Sequence, residues 1–342
     1  MPIPYQVLLA RPEPSLLSLV IPLYNEQEVV PLLRERLDRF LIALSCPVEV
    51  ILVNDGSTDQ TLDLLLDWAA RDRRVQVLGL ARNFGHQIAA TAGLDHAAGD
   101  AVVLMDADLQ DPPEVVSRMV ERYRQGYDVV YGQRTSRAGE TRFKLITAWA
   151  FYRIMRAFVH KDLPSDAGDF RLLSRRCLDG LKSMREVHRF LRGMVAWVGF
   201  AQIGVPYERP ARAAGTTKYP LDKMLRLAWN AMVSFSPLPL RISFFLGSAL
   251  AVSGAGWALY AIARHVLVGD TVPGWTSQVV ITCLSAACIL VSNGILGEYV
   301  GRIFEEIKGR PLYLVATRTQ VASTARLAPT PSNNHTKWRA AG

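Results

Sequence analysis

Residues 101–114 read AVVLMDADLQDPPE. Five apolar residues end abruptly in an acid pair, Asp106 and Asp108, and two prolines, Pro112 and Pro113, stand where a helical pattern begins. A short Val-rich run closed by turn residues is the mark of a buried strand, and proline at a helix entry forfeits no hydrogen bond. The same alternation extends outward on both sides. Strands are expected at Leu16 to Ile21, Val48 to Val53, Val75 to Leu80, Ala101 to Met105 and Asp128 to Tyr131. Helices are expected at Glu28 to Leu44, Thr58 to Arg71, Gly85 to Ala98 and Pro113 to Gln125, the second entered through the acidic cap pattern of Ser57 to Asp59. Apolar strands separated by helices make an α/β fold around a mainly parallel sheet.

Ligands of such sheets gather beyond the carboxyl ends of the strands. Four polar clusters fall where a strand is expected to end: Tyr24-Asn25-Glu26, the NDGSTD run Asn54 to Asp59, Asp106-Ala107-Asp108 with Gln110, and Gly132-Gln133-Arg134. Any one of them is an ordinary polar turn; their coincidence at one sheet edge is the signal. The i, i+2 spacing of Asp106 and Asp108 can turn both carboxylates to one side, where hard oxygen ligands hold Mg²⁺ or Mn²⁺ and substrate phosphates complete the coordination. A solvated acidic loop is the alternative. The sequence has no GxxxxGK[ST], no GxGxxG after the first strand and no EF-hand spacing, so any nucleotide is held another way. Its four cysteines, without a CxxC pair, exclude a zinc ribbon or a disulfide scaffold. The histidines His86, His96, His160 and His188 stand singly and read as structural. His86 is set apart by its place in RNFGHQ just after the third strand, with Arg82 and Asn83 beside it.

At 342 residues the chain exceeds one ordinary domain. With 50% apolar and 20% charged residues and a mean hydropathy of +0.13, it is too apolar for disorder and rich for a purely soluble protein. Lys plus Arg number 39 against 31 Asp plus Glu, a net charge of +8 that suits anionic partners. Ile242 to Ile262 and Trp275 to Leu296 carry no charged side chain over 21 and 22 residues, long enough for two membrane spans, with a buried helical hairpin as the alternative. Six basic against two acidic residues over Val205 to Arg241, and seven against three over Gly297 to Gly342, put both flanks on the cytoplasmic side. Only the loop around Asp270 then reaches the far side.

The resulting division is a flexible 1–15 without a signal peptide, a soluble domain over 16–210, a juxtamembrane linker over 211–241, two spans over 242–300 and a cytoplasmic tail over 301–342, polar and disordered beyond about Thr317. The stretch Thr141 to Lys161, with five basic and no acidic residues, reads as an amphipathic helix at the membrane surface drawn to anionic lipids, and Asp222 to Ser236 as a second. The basic residues cluster beside the spans and no recognition motif appears, which sets a nucleic-acid partner aside.

In order, LVIPLYNE, VEVILVNDGSTD, LARNFGHQIAATAGLDHAAGD, VVLMDADLQDPPE, VVYGQR and SDAGDFRLLS resemble the inverting glycosyltransferases of family 2, which have a Rossmann-like GT-A domain for nucleotide sugars. More narrowly the chain is similar, over roughly Leu16 to Arg310, to the polyprenyl-phosphate glycosyltransferases: dolichol-phosphate mannose synthase and the bacterial GtrB-type undecaprenyl-phosphate glucosyltransferases. The resemblance implies that Pro22, Tyr24, Glu26, Asp55, Ala107 and Gln110 line the nucleotide-sugar donor, Asp55 through the base, and that Asp106 and Asp108 hold the divalent cation against the diphosphate. It implies Arg134, Arg171, Arg212 and Lys218 near phosphate, and Asp169 as an acceptor-side acidic residue; Asp169, Asp108 and Arg134 are then the catalytic set. It implies a UDP-sugar donor, glucose first and GDP-mannose or a UDP-aminoarabinose derivative as alternatives, a polyprenyl phosphate acceptor, and a homo-oligomer, a tetramer in related enzymes. The absence of QxxRW points to one sugar per cycle.

A lipid phosphate monoester is largely dianionic at pH 7, since its second pKa is about 6, and needs no strong base. Asp169 is therefore expected to orient or balance charge, with a strand-initiating surface residue as the alternative. A binding-only membrane protein of the same fold is the rival reading, against which the intact Asp55, Asp106, Asp108 and Arg134 speak.

Overall fold

A computed structural model of the protein describes residues 8–134, 167–208, 233, 238–268 and 274–319. The apolar runs form β1 (Leu17–Leu23), β2 (Val48–Asn54), β3 (Val75–Leu80), β4 (Ala101–Leu104) and β5 (Val129–Arg134). The helical patterns form α1 (Val30–Ile42), α2 (Thr61–Arg71), α3 (His86–His96) and α4 (Val115–Arg124). Then come β6 (Ala167–Ser174), α5 (Arg175–Ser183), α6 (Leu191–Val198), β7 (Gln202–Tyr207), two long helices α7 (Leu238–Val268) and α8 (Trp275–Ile307), and β8 (Val315–Arg318). One sheet runs β7-β5-β6-β4-β1-β2-β3-β8. β1 pairs in parallel with β2 and β4, β2 with β3 and β5 with β7, while β6 and β8 run antiparallel to their neighbours. The expected α/β architecture with a mainly parallel sheet is present.

β1 and β3 are buried at every residue, as strands covered on both faces require. Leu19, Leu52 and Val77 pack against α1, α2 and α4 on one face, and Val20, Ile51 and Leu78 against α3, α5 and α6 on the other. Close approach of α3 depends on Gly93: a Cβ there would sit 2.3 Å from Val20 Cγ1. That proximity brings the amino end of α3 to the carboxyl edge of the sheet.

The structure corrects several boundaries. β5 continues through Arg134 because β7 pairs with it as far as Arg134↔Tyr207, so Gly132-Gln133-Arg134 is strand and not the turn after one. α2 starts at Thr61, not Thr58, because Asp59 Oδ1 accepts the Thr61 N–H at 3.0 Å and holds the preceding residues in a turn. Residues 301–319 are not a tail: α8 continues to Ile307 and β8 joins the sheet beside β3. Asp169 is not a surface residue but 5% exposed inside β6. The 141–161 helix, the 222–236 segment apart from residue 233, Arg212, Lys218 and everything beyond 319 lie outside the described residues.

α7 and α8 contain the windows Pro239–Arg264 and Val280–Ile307, long and apolar enough to cross a membrane, and neither window is buried against the rest of the chain. At 1.5 Å per residue their 31 and 33 residues span about 46 and 50 Å, more than the roughly 30 Å of hydrocarbon. The last turns of α8 are charged, with Glu298, Arg302, Glu305 and Glu306.

Candidate active site

The loops after β1, β2 and β3 are laced together. Asn25 sits at φ 51, a conformation asparagine tolerates, and its N–H donates to Ser57 Oγ (3.0 Å) while its Oδ1 accepts from the Thr58 N–H (2.9 Å). The Glu26 N–H donates to Thr61 Oγ1 at 2.9 Å. Pro22 lies past Val20↔Leu104, where the β1–β4 ladder has ended, so its missing N–H leaves no gap on that side, and Tyr24 is exposed beyond it. Asp55 is buried, and its two carboxylate oxygens accept the N–H groups of Phe84 (2.8 Å) and Gly85 (2.9 Å). Burial pushes its carboxyl above the ordinary range, against the lowering effect of those two N–H groups. Gly56, at φ +63, fits against the backbone of Arg82, where a Cβ would lie 2.3 Å from the carbonyl carbon. Asp55 and Gly56 therefore fix the loop Arg82 to Gly85.

A charged cluster lies beside this loop. Asp106 follows β4, and Asp108 Oδ1 accepts the Gln110 N–H at 3.1 Å around Leu109, which has φ 59. His86, the first residue of α3, places Nε2 3.5 Å from Asp106 Oδ1 and 3.5 Å from Asp169 Oδ2. Arg192 on α6 grips Asp169 with Nε at 2.7 Å from Oδ1 and Nη2 at 3.2 Å from Oδ2. Gln87 donates to Asp169 Oδ2 (3.2 Å) and accepts the Leu191 N–H (2.9 Å), tying α3 to the start of α6.

The two acids of this cluster are driven apart. Burial would raise Asp169, but the Arg192 charge and the hydrogen bonds from His86 and Arg192 hold it well below the usual carboxylate range. Asp106 is raised, first by burial and then by the charges of Asp169 and Asp108, with His86 and Arg192 opposing. Burial works against a charged His86, but the Asp169 hydrogen bond and both carboxylates outweigh it and raise the ring to about 9. Asp169 is thus a carboxylate whose ionised form its donors favour, and Asp106 an acid whose charge is less well compensated.

That imbalance is the test of a divalent cation, and the residues fit one. Asp106 and Asp108 are hard oxygen donors whose mutual repulsion a cation would relieve. Among the described residues no group of three or more His, Cys, Asp or Glu side chains could hold a metal ion by itself.

Of the other expected residues, Ala107 is buried behind the acid pair and Gln110 turns the chain after it. Arg134 ends β5 and hydrogen-bonds Tyr207, whose hydroxyl donates to the buried Asp111; Gly168 leaves room for it, since a Cβ there would lie 2.8 Å from Arg134 Nη2. Arg171 is buried beneath that edge and donates to the Gly168 carbonyl at 2.8 Å. Arg192 and Gln87 were not expected from the sequence. Gln87's only signal was adjacency to His86, and Arg192 in HRFLRGM had none.

The family model described as "Glycosyl transferase family 2" matches residues 18–181. The uncharacterized glycosyltransferase YkcC of Bacillus subtilis (strain 168) is 43% identical over 298 residues, 87% of this chain and 92% of that protein. A bactoprenol glucosyl transferase of Shigella phage SfX is 36% identical over 302 residues, 88% of this chain and 99% of that protein. Among solved structures, the mannosyltransferase PcManGT from Pyrobaculum calidifontis in complex with GDP-Man and Mn²⁺ is 18% identical, covers 86% of this chain and 91% of that one, and has a TM-score of 0.41.

Proposed function

The chain belongs to glycosyl transferase family 2, and from that premise we propose that it transfers one hexose, with inversion, from a nucleoside diphosphate sugar to polyprenyl phosphate at the cytoplasmic face of the membrane. The observation that carries the reading is the acid cluster Asp106, Asp108 and Asp169 at the carboxyl edge of the sheet, in a chain that also has two helices able to cross a membrane. Relatives over nearly the whole chain that are called bactoprenol glucosyl transferases support a lipid phosphate acceptor and make glucose from UDP-glucose the first choice of donor. GDP-mannose and UDP-4-deoxy-4-formamido-L-arabinose are the other donors to test.

In this reading the Asn25–Ser57 lacing and the Asp55-anchored loop hold the nucleoside beside Pro22, Tyr24 and Glu26. Asp106 and Asp108 hold Mg²⁺ or Mn²⁺, which when bound supplies positive charge against the donor diphosphate. Arg134, with Arg212 and Lys218 and the buried Arg171 behind it, adds fixed positive charge for the leaving group and the acceptor phosphate. Asp169 does not serve as the proton acceptor. Its oxygens are occupied by Arg192, Gln87 and His86, and a phosphate dianion brings its own nucleophile. Asp169 instead orients His86 and balances Arg192 next to the reacting groups.

The test is transfer of radiolabelled sugar from UDP-glucose, UDP-galactose, UDP-N-acetylglucosamine, GDP-mannose and the formamido-arabinose donor to undecaprenyl phosphate, with Mg²⁺ or Mn²⁺ and an EDTA control. A metal-dependent lipid product of inverted configuration from one donor is expected. Absence of lipid product from every donor, in protein that still binds nucleotide, would overturn the acceptor assignment.

A further inference from the structure

We infer that the segment following the second apolar helix, Tyr313 to Thr319, is a working part of the donor site: a strap that positions the loop Arg82 to Gly85. It rests on the donor reading above for the identity of the ligand, a nucleoside diphosphate, and on separate contacts for the mechanics.

The strap is stitched to β3 along its length. Thr319 donates its N–H to the Val77 carbonyl (3.1 Å) and accepts the Val77 N–H on Oγ1 (2.8 Å), and β8 continues through Arg318↔Leu78 and Thr317↔Gly79 and, after a register shift between Gly79 and Leu80, Val315↔Leu80. The last bond is the telling one, because the Ala81 N–H donates to the Leu314 carbonyl at 2.9 Å, one residue past the end of β3. Three residues later the Phe84 and Gly85 N–H groups are held by Asp55. The loop is therefore pinned at one end by the strap and at the other by Asp55, with Arg82 and Asn83 between. β3 is shaped for this partner: a Cβ on Gly79 would lie 3.2 Å from Thr317 Cβ, tighter than ordinary contact.

The strap holds one of the two helices that deliver charged residues to the site, and the end of α8 that leads into it holds the approach to the other. Tyr313 donates its hydroxyl to Asp95 Oδ2 (3.0 Å) and stacks obliquely near His96, at the far end of the helix that begins with His86. The end of α8 holds the loop before α6: Glu306 Oε1 accepts the Val187 N–H (2.8 Å), and Glu305 Oε2 lies 2.7 Å from His188 Nε2. α6 then supplies Arg192 to Asp169. The membrane anchor and the site are thus one mechanical unit, and the chain leaving the bilayer positions both the donor loop and the Asp169 clamp.

The experiment compares full-length protein in lipid nanodiscs with the double variant Tyr313→Phe/Thr319→Val and with a chain ending at Leu312. Hydrogen exchange is followed at Val77, Ala81, Phe84 and Gly85 without ligand, and KM is measured separately for UDP-glucose and for undecaprenyl phosphate. The double variant is expected to speed exchange at Ala81 and Phe84 by about tenfold and to raise the donor KM about threefold to tenfold, with kcat and the acceptor KM within about twofold. Loosening confined to Val77, with Ala81 and Phe84 exchanging as before, would overturn the inference and leave the strap as an edge cover. So would a loosened loop with an unchanged donor KM. If the unaltered protein shows no affinity for any nucleoside diphosphate sugar, it is the donor reading that fails, and the exchange at Ala81 and Phe84 alone then decides whether the strap positions the loop. Should the shortened chain not fold, the double variant, which removes two hydroxyls and no backbone, carries the test.

Discussion

Arg192→Leu isolates what the Asp169 clamp contributes. The substitution removes two charge-assisted hydrogen bonds, at 2.7 and 3.2 Å, from a carboxylate whose side chain is 6% exposed. Breaking one side of a buried pair costs about 3–5 kcal/mol, because the abandoned charge has little solvent to turn to. The guanidinium is itself 29% exposed, so water can enter where it stood, and the lower figure of about 2–3 kcal/mol applies. For a domain of this size that is a fall in Tm of about 4–12 °C. Transfer should fall further than stability, since Asp169 also holds His86 beside Asp106. Thermal unfolding followed by tryptophan fluorescence in nanodiscs, with initial rates of sugar transfer, measures both. Asp169→Asn and the double variant complete a cycle in which the coupling should reach at least about 1.5 kcal/mol, the double costing less than the sum of the singles. Arg192→Lys, which restores charge without the fork, should recover stability more than rate. A Tm within about 1 °C of the parent and transfer within about twofold would show that Gln87 and His86 satisfy Asp169 unaided, and the clamp argument would fail.

Three further outcomes are expected. Asp106→Ala or Asp108→Ala should abolish transfer while leaving the protein folded in the membrane; full activity of either variant after chelation sinks the cation assignment. Gly56→Ala must place a Cβ 2.3 Å from the Arg82 carbonyl carbon at φ +63, so it should destabilise by about 1–3 kcal/mol and weaken nucleotide binding, measured by calorimetric titration of UDP with Mn²⁺. Asp128 is buried, and hydrogen bonds from Arg176, Ser174 and Arg11 with the Arg11 charge outweigh its burial and hold its carboxyl below the ordinary range. Its folded-state pKa is depressed, so the stability it contributes is complete above pH about 4 and is lost as pH falls through the folded value. Asp128→Asn should therefore flatten the acid side of a stability-versus-pH curve, and an unchanged curve would refute the pairing.

The parts of this protein legible in its sequence are those encoded by local pattern. AVVLM before Asp106 and VEVILVN before Asp55 are legible as strands because they are short, rich in valine and closed by turn residues, and a parallel sheet then puts their following acids on one edge. What could not be read is where chains meet that are distant in sequence. Arg192 reaches Asp169 only because α6 packs on the same face of the sheet as α3, a fact of tertiary packing with no periodicity to announce it. Residues 315–318 read as part of the 301–342 tail because an edge strand of four residues, exposed on most of its length, has almost no hydrophobic signature. Its partner was the better witness: Gly79 stands inside an otherwise apolar β3, where glycine weakens a strand unless another chain must come close. Arg134 misled for the opposite reason. Gly132-Gln133-Arg134 has the composition of a turn, yet pairing with β7 keeps it extended, and the glycine is required because a Cβ would lie 2.8 Å from both Phe170 and Tyr207. In both places the glycine marked a close approach rather than a break in the strand. A glycine inside an apolar strand is thus a cue to look for the element pressed against it: β8 at Gly79, and Phe170 with Tyr207 at Gly132.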